Sequence, residues 1–212
     1  MGYGRTSRHT GETWCGHPST NSRGVDLSEI YVSVDIETDG PSPGKHSLMS
    51  IGAAAFVRGS VIPKATFEIN LQPEPGAVQD PDTMAWWASQ DPKVYAHATQ
   101  NALPAQEAIA QFVDWVKRLP GSPVLVTYPT WDAAWLTYYI GKYHEGKNPF
   151  GIGSLDIKSL AMGALNVATF KGTTKKAFPR EWFMGTPHHS HEALQDAIGQ
   201  GMLLVRILDS LS

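Results

Sequence analysis

The chain has 212 residues and a formal net charge of −3, with 42% of its residues hydrophobic and 17% charged. This length and composition predict one soluble globular domain with a single sizeable core, and no stretch approaches the ~18 apolar residues that a membrane span needs. The only cysteine, Cys15, excludes an intrachain disulfide and favours a reducing, cytoplasmic compartment.

Residues 1–27 are rich in Gly, Ser, Thr, Arg and His and have almost no apolar periodicity. Such a segment cannot bury enough apolar surface to offset the entropy of ordering, so we predict a disordered leader. It also lacks the apolar core of a signal peptide. We therefore expect the folded domain to comprise residues 28–212.

Strands are predicted near 30–36, 48–57 and 65–71, and the first of them ends in Asp35-Ile36-Glu37. Side chains two apart on a strand point to the same face, so this strand brings two carboxylates to one spot. Paired carboxylates repel each other, and one takes up a proton unless a cation compensates. Magnesium and manganese are the usual compensation because they prefer oxygen ligands. The alternative is two solvated acids at a strand end.

The middle of the chain predicts three helices and one strand. Residues 79–82 start a short helix that carries Trp86 and Trp87, and residues 104–118 form a longer amphipathic helix. Residues 123–127 have the pattern of a buried strand, and an apolar helix follows Asp132. A junction of this kind is where α/β sheets place ligand sites, although Asp132 could simply cap the helix.

The C-terminal part predicts a short strand or turn near 154–157 that leads into residues 157–165, and a long helix over about 193–210. Asp196 falls in the first turn of the long helix. His191 lies five residues earlier, a spacing that would put it on a different face of a continuous helix. Both can serve one site only if His191 lies in the loop before the helix. The alternative is a polar histidine in a surface loop.

Strands first and strand–helix units later predict an α/β fold with a mixed sheet flanked by helices. Within this predicted fold, three motifs and the spacing of one strand resemble the DEDDh 3′-to-5′ exonucleases of the RNase H-like fold, and among them small exoribonucleases of the RNase T and oligoribonuclease kind. They are residues 35–40, the strand at 48–53, Trp131-Asp132 and residues 191–197. One position departs from the family, because Tyr128 stands where an asparagine is usual.

The resemblance implies an RNase H-like mixed five-stranded sheet and a site with two divalent ions, Mg²⁺ or Mn²⁺. The implied ligands are Asp35, Glu37, Asp132 and Asp196, with His191 as the general base. The implied substrate is single-stranded nucleic acid with a free 3′ end, RNA favoured, from which nucleoside 5′-monophosphates are released. The formal net charge of −3 would by itself disfavour binding of a polyanionic nucleic acid. Two bound divalent ions would change this charge to +1 (−3 + 4), which makes a nucleic acid partner compatible with the charge.

Substrate contacts are expected at Thr38, Trp87 and Trp131, with Trp87 either stacking on a base or filling the core. A basic stretch is expected either to contact phosphates or to form a solvated loop, with phosphate contact favoured by its position before the histidine loop: Lys171, Lys175, Lys176 and Arg180. A homodimer is possible. Two alternatives stay open: a DNA 3′-5′ exonuclease or proofreading subunit, and a catalytically silent nucleic-acid-binding domain, which only Tyr128 favours.

Overall fold

The structure, a computed structural model, describes residues 29–211, so the predicted leader lies outside the described residues. It contains five strands and six α-helices. The strands are β1 (Glu29–Thr38), β2 (Leu48–Val57), β3 (Ser60–Asn70), β4 (Ser122–Thr127) and β5 (Leu155–Asp156). The helices are α1 (Pro81–Ser89), α2 (Pro92–Thr99), α3 (Ala105–Lys117), α4 (Trp131–Tyr143), α5 (Ile157–Ala164) and α6 (Ala193–Ser210). Two short 3₁₀ helices, Lys175–Ala177 and Arg180–Phe183, precede α6.

The five strands form one mixed sheet in the order β3-β2-β1-β4-β5. β1, β2 and β3 pair antiparallel, whereas β4 runs parallel to β1 and β5 runs parallel to β4. This confirms the predicted mixed five-stranded sheet with flanking helices. The prediction omitted α2, which follows α1 directly.

Alternate side chains of the central strand β1 point to opposite faces of the sheet and contribute to two separate parts of the core. Val32, Val34 and Ile36 pack against α3 and α4 on one face of the sheet. Tyr31 packs with apolar residues of α6 on the other face. Because side chains alternate along a strand, the odd-numbered Asp35 and Glu37 also point toward the α6 face.

The end of β1 extends past its parallel neighbour. The pairing of β1 with β4 ends at Ser33 and Val126, so Asp35 and Glu37 lie beyond the paired part of β4. The chain leaves β4 at Thr127 and enters α4 at Trp131. The carboxyl end of β1 therefore lies at an edge of the sheet where a loop and a helix N-terminus can add side chains.

A close backbone contact places α6 over this edge. Gly52 on β2 is the register partner of Asp35. A Cβ atom at Gly52 would lie 2.1 Å from the backbone of Ala193 and Leu194, so only glycine permits the first turn of α6 to come this close. As a result Asp196, three residues further along α6, lies above Asp35. Within residues 29–211 no helix is long and apolar enough to cross a membrane.

Candidate active site

Carboxylates from distant parts of the chain meet at the carboxyl end of β1. Asp35, Glu37 and Asp196 are all buried, and each offers an oxygen such that the three oxygens lie within 4.8 Å of one another. Asp132, also buried, interacts electrostatically with Asp35 and Glu37. The structure thus brings three of the four acids that the sequence singled out into one close group, and the fourth, Asp132, is near enough to interact electrostatically with Asp35 and Glu37.

The position of Asp132 excludes the interpretation of this residue as a helix cap. The N-cap of α4 is Thr130, and Asp132 follows within the first turn. Asp132 is therefore not the cap of α4. Its side chain is buried beside other carboxylates, which a solvated helix end would not require.

Electrostatics at the cluster favour protonation as long as no cation is bound. Burial, with the charge of Asp196 adding to it, raises the pKa of Asp35 from 3.8 to about 7. Burial and the charge of Asp35 raise the pKa of Asp132 to about 9. Burial also holds the pKa of Glu37 well above its usual 4.5, with Asp35 and Asp196 adding to the effect. Divalent cations would offset this repulsion, and a set of carboxylate oxygens suits Mg²⁺ or Mn²⁺.

These raised pKa values predict how the metal-free fold responds to pH. A group whose pKa is higher in the folded state supports the fold below its unfolded pKa, and this support is lost as pH rises through the folded pKa. For Asp35 this stabilisation is lost between pH 3.8 and about pH 7, and for Asp132 it is lost between pH 3.8 and about pH 9. We expect the melting temperature in chelator to fall across these pH ranges. Added Mn²⁺ should restore it, with a larger gain at the alkaline end, as calorimetry at several pH values would show. A gain independent of pH would contradict the prediction.

Asp196 is held by the loop that precedes its own helix. Its Oδ1 accepts the backbone N–H of Ser190 at 3.1 Å and its Oδ2 accepts that of His191 at 3.0 Å. The Nδ1 of His189 lies 2.6 Å from Oδ2. Burial pushes the pKa of Asp196 upward, but the hydrogen bonds from His189 and Ser190 outweigh it, and the net pKa lies below the usual 3.8. Asp196 is therefore the acid most ready to ionise.

His191 lies in the loop before α6, as predicted. Its φ of +58° is a left-handed conformation that turns the chain sharply ahead of the helix. Its ring packs edge-to-face with that of Trp86, with centroids 4.8 Å apart, and lies 4.2 Å from the ring of His189. Burial lowers the pKa of His191 below 6.5, and His189 lowers it further. Neutral imidazole, the form that accepts a proton, is thus favoured at physiological pH.

The two neighbouring tryptophans of α1 have different surroundings. Trp87 is 3% exposed, packs with Met49 and Ala98, and donates its indole N–H to the carbonyl of Thr38 at 2.9 Å. This is the core position that was the alternative to base stacking. Trp86 is 39% exposed beside His191. Of the other two expected substrate contacts, Thr38 is buried directly after Glu37, and Trp131 is exposed directly before Asp132.

Gln200 is a site residue that the sequence interpretation missed. Its Nε2 donates to Oδ1 of Asp35 at 2.6 Å, and its Oε1 is buried without a partner among the described residues. It lies four residues after Asp196, so the two share one face of α6, and this spacing was the signal that could have identified it.

The hydrogen bond to Asp35 predicts a role for Gln200 in orienting that carboxylate. We expect Gln200→Leu to weaken Mn²⁺ binding and activity by about 10–100-fold, the usual effect of losing a partner of a metal ligand. Gln195→Leu, at an exposed position of the same helix, is the matched control. Equal Mn²⁺ affinity in the two variants would show that Asp35 needs no such support.

A cavity of about 290 Å³ opens beside Asp196 and Gln200. Lys175, the second member of the basic stretch, lines it, and its Nζ lies 5.1 Å from the ring centroid of Tyr128. Tyr128 itself packs edge-on against Phe178. The residue that departs from the family pattern therefore supports the wall on which Lys175 lies.

A mixed five-stranded sheet that collects four buried carboxylates and a loop histidine at the end of its central strand defines the class of RNase H-like, DEDDh-type nucleases. Comparison with known proteins agrees. Residues 30–208 match the family described as the 3′-5′ exoribonuclease Rv2179c-like domain, and the chain belongs to that family. It is a hydrolytic 3′-5′ exonuclease.

Relatives of known sequence or structure cover most of the chain. The 3′-5′ DNA exonuclease Cap18 of Escherichia coli is 33% identical over 190 residues, which span 87% of this chain and 94% of that protein. The nuclease domain of 3′hExo, a DEDDh family member bound to rAMP, has a TM-score of 0.65 at 16% identity and covers 90% of this chain and 94% of its own. S. pombe Pop2p with bound Mg²⁺ and Mn²⁺ has a TM-score of 0.60 at 14% identity, with 84% and 82% covered.

Proposed function

We propose that this chain shortens single-stranded nucleic acid from a free 3′ hydroxyl and releases nucleoside 5′-monophosphates, with RNA as the preferred substrate. Asp35, Glu37, Asp132 and Asp196 hold two divalent ions, Mg²⁺ or Mn²⁺, and His191 is the general base. The observation that carries the proposal is the cluster of buried carboxylates at the end of β1, with which Asp132 interacts electrostatically, together with His191 in the adjoining loop, whose pKa is lowered. A catalytically silent domain would retain this repulsion with no compensating use.

Each residue has a distinct task in the proposed reaction. When bound, the ions lower the pKa of a water molecule and stabilise the charge that develops on the phosphate. His191 accepts the proton of the attacking water, and its depressed pKa keeps the imidazole ready to do so. The two backbone N–H groups that bind Asp196 keep its carboxylate ionised and oriented. Gln200 does the same for Asp35.

The surfaces beside the carboxylates fit a single strand. Trp86 and Trp131 expose aromatic rings next to His191 and Asp132, and base stacking on such a ring contributes about 1–3 kcal/mol. The backbone at Thr38 would contact the terminal sugar, with Trp87 holding it in place through the carbonyl of Thr38. Lys175, which lines the same cavity as Asp196, would neutralise a backbone phosphate. A homodimer stays a prediction, which light scattering would test.

The comparisons with known proteins differ on whether the substrate is RNA or DNA. The matched family is described as exoribonucleases, which supports RNA, whereas the relative at 33% identity is named a DNA exonuclease, which makes DNA the second candidate. The discriminating substrates are 5′-labelled strands of one sequence made as RNA, as DNA, and as chimeras in which only the 3′-terminal sugar differs. We expect faster shortening of the RNA and of the DNA with a 3′-terminal ribose. Faster shortening of DNA at every step would establish the second candidate.

The direction of attack gives a further prediction. Because hydrolysis starts at a free 3′ hydroxyl, a 3′-phosphate should stall the enzyme, and phosphatase treatment should restore stepwise shortening. Gel analysis of a 5′-labelled strand would show a ladder that moves downward with time. Labelled mononucleotide at the earliest time, or cutting of a circular strand, would indicate a different nuclease activity.

A further inference from the structure

A second group of potential metal ligands overlaps the edge of the site. Donor atoms of His189, His191 and Asp196 all lie within 4.8 Å of one another. The Nδ1 of His189 is 2.6 Å from Oδ2 of Asp196, and the two imidazole rings lie 4.2 Å apart at an angle of 67°. Asp35 and Glu37 take no part in this group.

The loop before α6 holds these three side chains in place. The backbone N–H groups of Ser190 and His191 both bind the carboxylate of Asp196, so the loop wraps around its own helix start. The ring of His191 is further fixed against Trp86. The side chain of His189 is 53% exposed, which leaves the group open to ions from solution.

The donor set differs in kind from the carboxylate cluster. Two imidazole nitrogens and one carboxylate oxygen are typical ligands of Zn²⁺, whereas Mg²⁺ and Mn²⁺ prefer oxygen. Tetrahedral Zn²⁺ with bonds of about 2.0–2.1 Å places its ligand atoms about 3.3 Å apart, so His189 and Asp196 need to separate by only a fraction of an ångström. Three protein ligands leave a fourth position for water or a phosphate oxygen.

We propose that His189, His191 and Asp196 form an inhibitory Zn²⁺ site. An ion bound there engages Asp196, which then no longer completes the carboxylate set. It also occupies the lone pair of His191, so this imidazole cannot accept a proton. The inhibitory effect rests on the proposed function, because it presumes that these two residues serve catalysis with Mg²⁺ or Mn²⁺. The existence of the Zn²⁺ site does not depend on the proposed function.

The site can be tested without activity by using Co²⁺ as a spectroscopic substitute for Zn²⁺. The full-length chain carrying Cys15→Ser, which removes its single thiol, is freed of metal and titrated with Co²⁺. We expect a visible absorption band of tetrahedral type that one equivalent of Zn²⁺ abolishes. His189→Gln should remove the band. His188→Gln, an exposed neighbour outside the trio, should keep it.

Inhibition gives the second measurement. Loss of one ligand should raise the Zn²⁺ concentration for half-inhibition of the Mn²⁺ enzyme at least about tenfold in His189→Gln, while His188→Gln matches the native chain. A band or an inhibition profile that is the same in both variants would overturn the proposal, as would a native chain without the band. A native chain that shows the band but no Mn²⁺-dependent hydrolysis would instead overturn the proposed function.

Discussion

Asp35→Asn is expected to abolish hydrolysis while the protein stays folded. Asp35 lies at the centre of the carboxylate cluster, paired with Gly52 on one side, bonded to Gln200 on the other and close to Glu37 and Asp196. An asparagine of the same shape keeps the hydrogen bond geometry but removes the charge that a divalent ion requires. Activity in saturating Mn²⁺ should fall below detection, as time courses on a 5′-labelled strand would show.

The same substitution should stabilise the metal-free protein. The raised pKa of Asp35 means that its ionisation at alkaline pH opposes folding, so removing the charge relieves repulsion. We expect a gain of about 1–3 kcal/mol at about pH 8 in chelator, which raises the melting temperature of a domain of this size by about 2–10 °C. The increase in melting temperature that added Mn²⁺ gives the native chain should be absent in this variant.

Asp114→Asn, at an exposed position on α3, is the matched control for both measurements. It should keep native activity, native stability in chelator and the native response to Mn²⁺. An Asp35→Asn protein that still hydrolyses nucleic acid, or that is less stable than the native chain in chelator, would remove Asp35 from the proposed metal site.

His191→Ala is expected to slow turnover about a hundred- to ten-thousand-fold, the usual contribution of a positioned general base. Binding of Mn²⁺ should be nearly intact, because the carboxylates carry it. In the native enzyme kcat should rise with pH as His191 loses its proton, with a midpoint below 6.5 because the pKa of this residue is depressed. The alanine variant should lack this rise.

His189 is the competing base, since it lies against both His191 and Asp196. Its pKa is raised by the hydrogen bond to Asp196, so it holds its proton to higher pH and is the poorer acceptor. His189→Ala should therefore keep most of the activity, and so should His188→Ala. If His189→Ala is the inactive variant and His191→Ala remains active, the roles of the two histidines are reversed.

The parts of this site that the sequence revealed are those with a local signal. Alternation along β1 showed that Asp35 and Glu37 share a face, and the five-residue spacing from Asp196 required that His191 precede the helix. The short helix α1 was recognisable from the acids and proline at its start. The same signal, Asp91 followed by Pro92, also begins α2, but eight residues carry too little periodicity to be recognised alone.

The parts that could not be predicted depend on contacts between distant segments. The approach of α6 to Gly52 and the bond from Gln200 to Asp35 join residues more than a hundred positions apart. Which tryptophan of α1 is covered depends on how the helix lies on β2, since adjacent helical residues point in different directions. Likewise, the contact between Lys175 and Tyr128 arises only when the long loop before α6 folds back over β4.

The number of Mn²⁺ ions bound per chain tests the central claim most directly. The protein is titrated with Mn²⁺ in the presence of a nucleoside 5′-monophosphate. Electron paramagnetic resonance measures the free Mn²⁺, and the bound Mn²⁺ is the difference from the total added. If Asp35, Glu37, Asp132 and Asp196 form a two-metal site, the native chain should bind two ions and Asp132→Asn should lose one of them. A native chain that binds fewer than two ions at saturation, or an unchanged count in Asp132→Asn, would contradict the account.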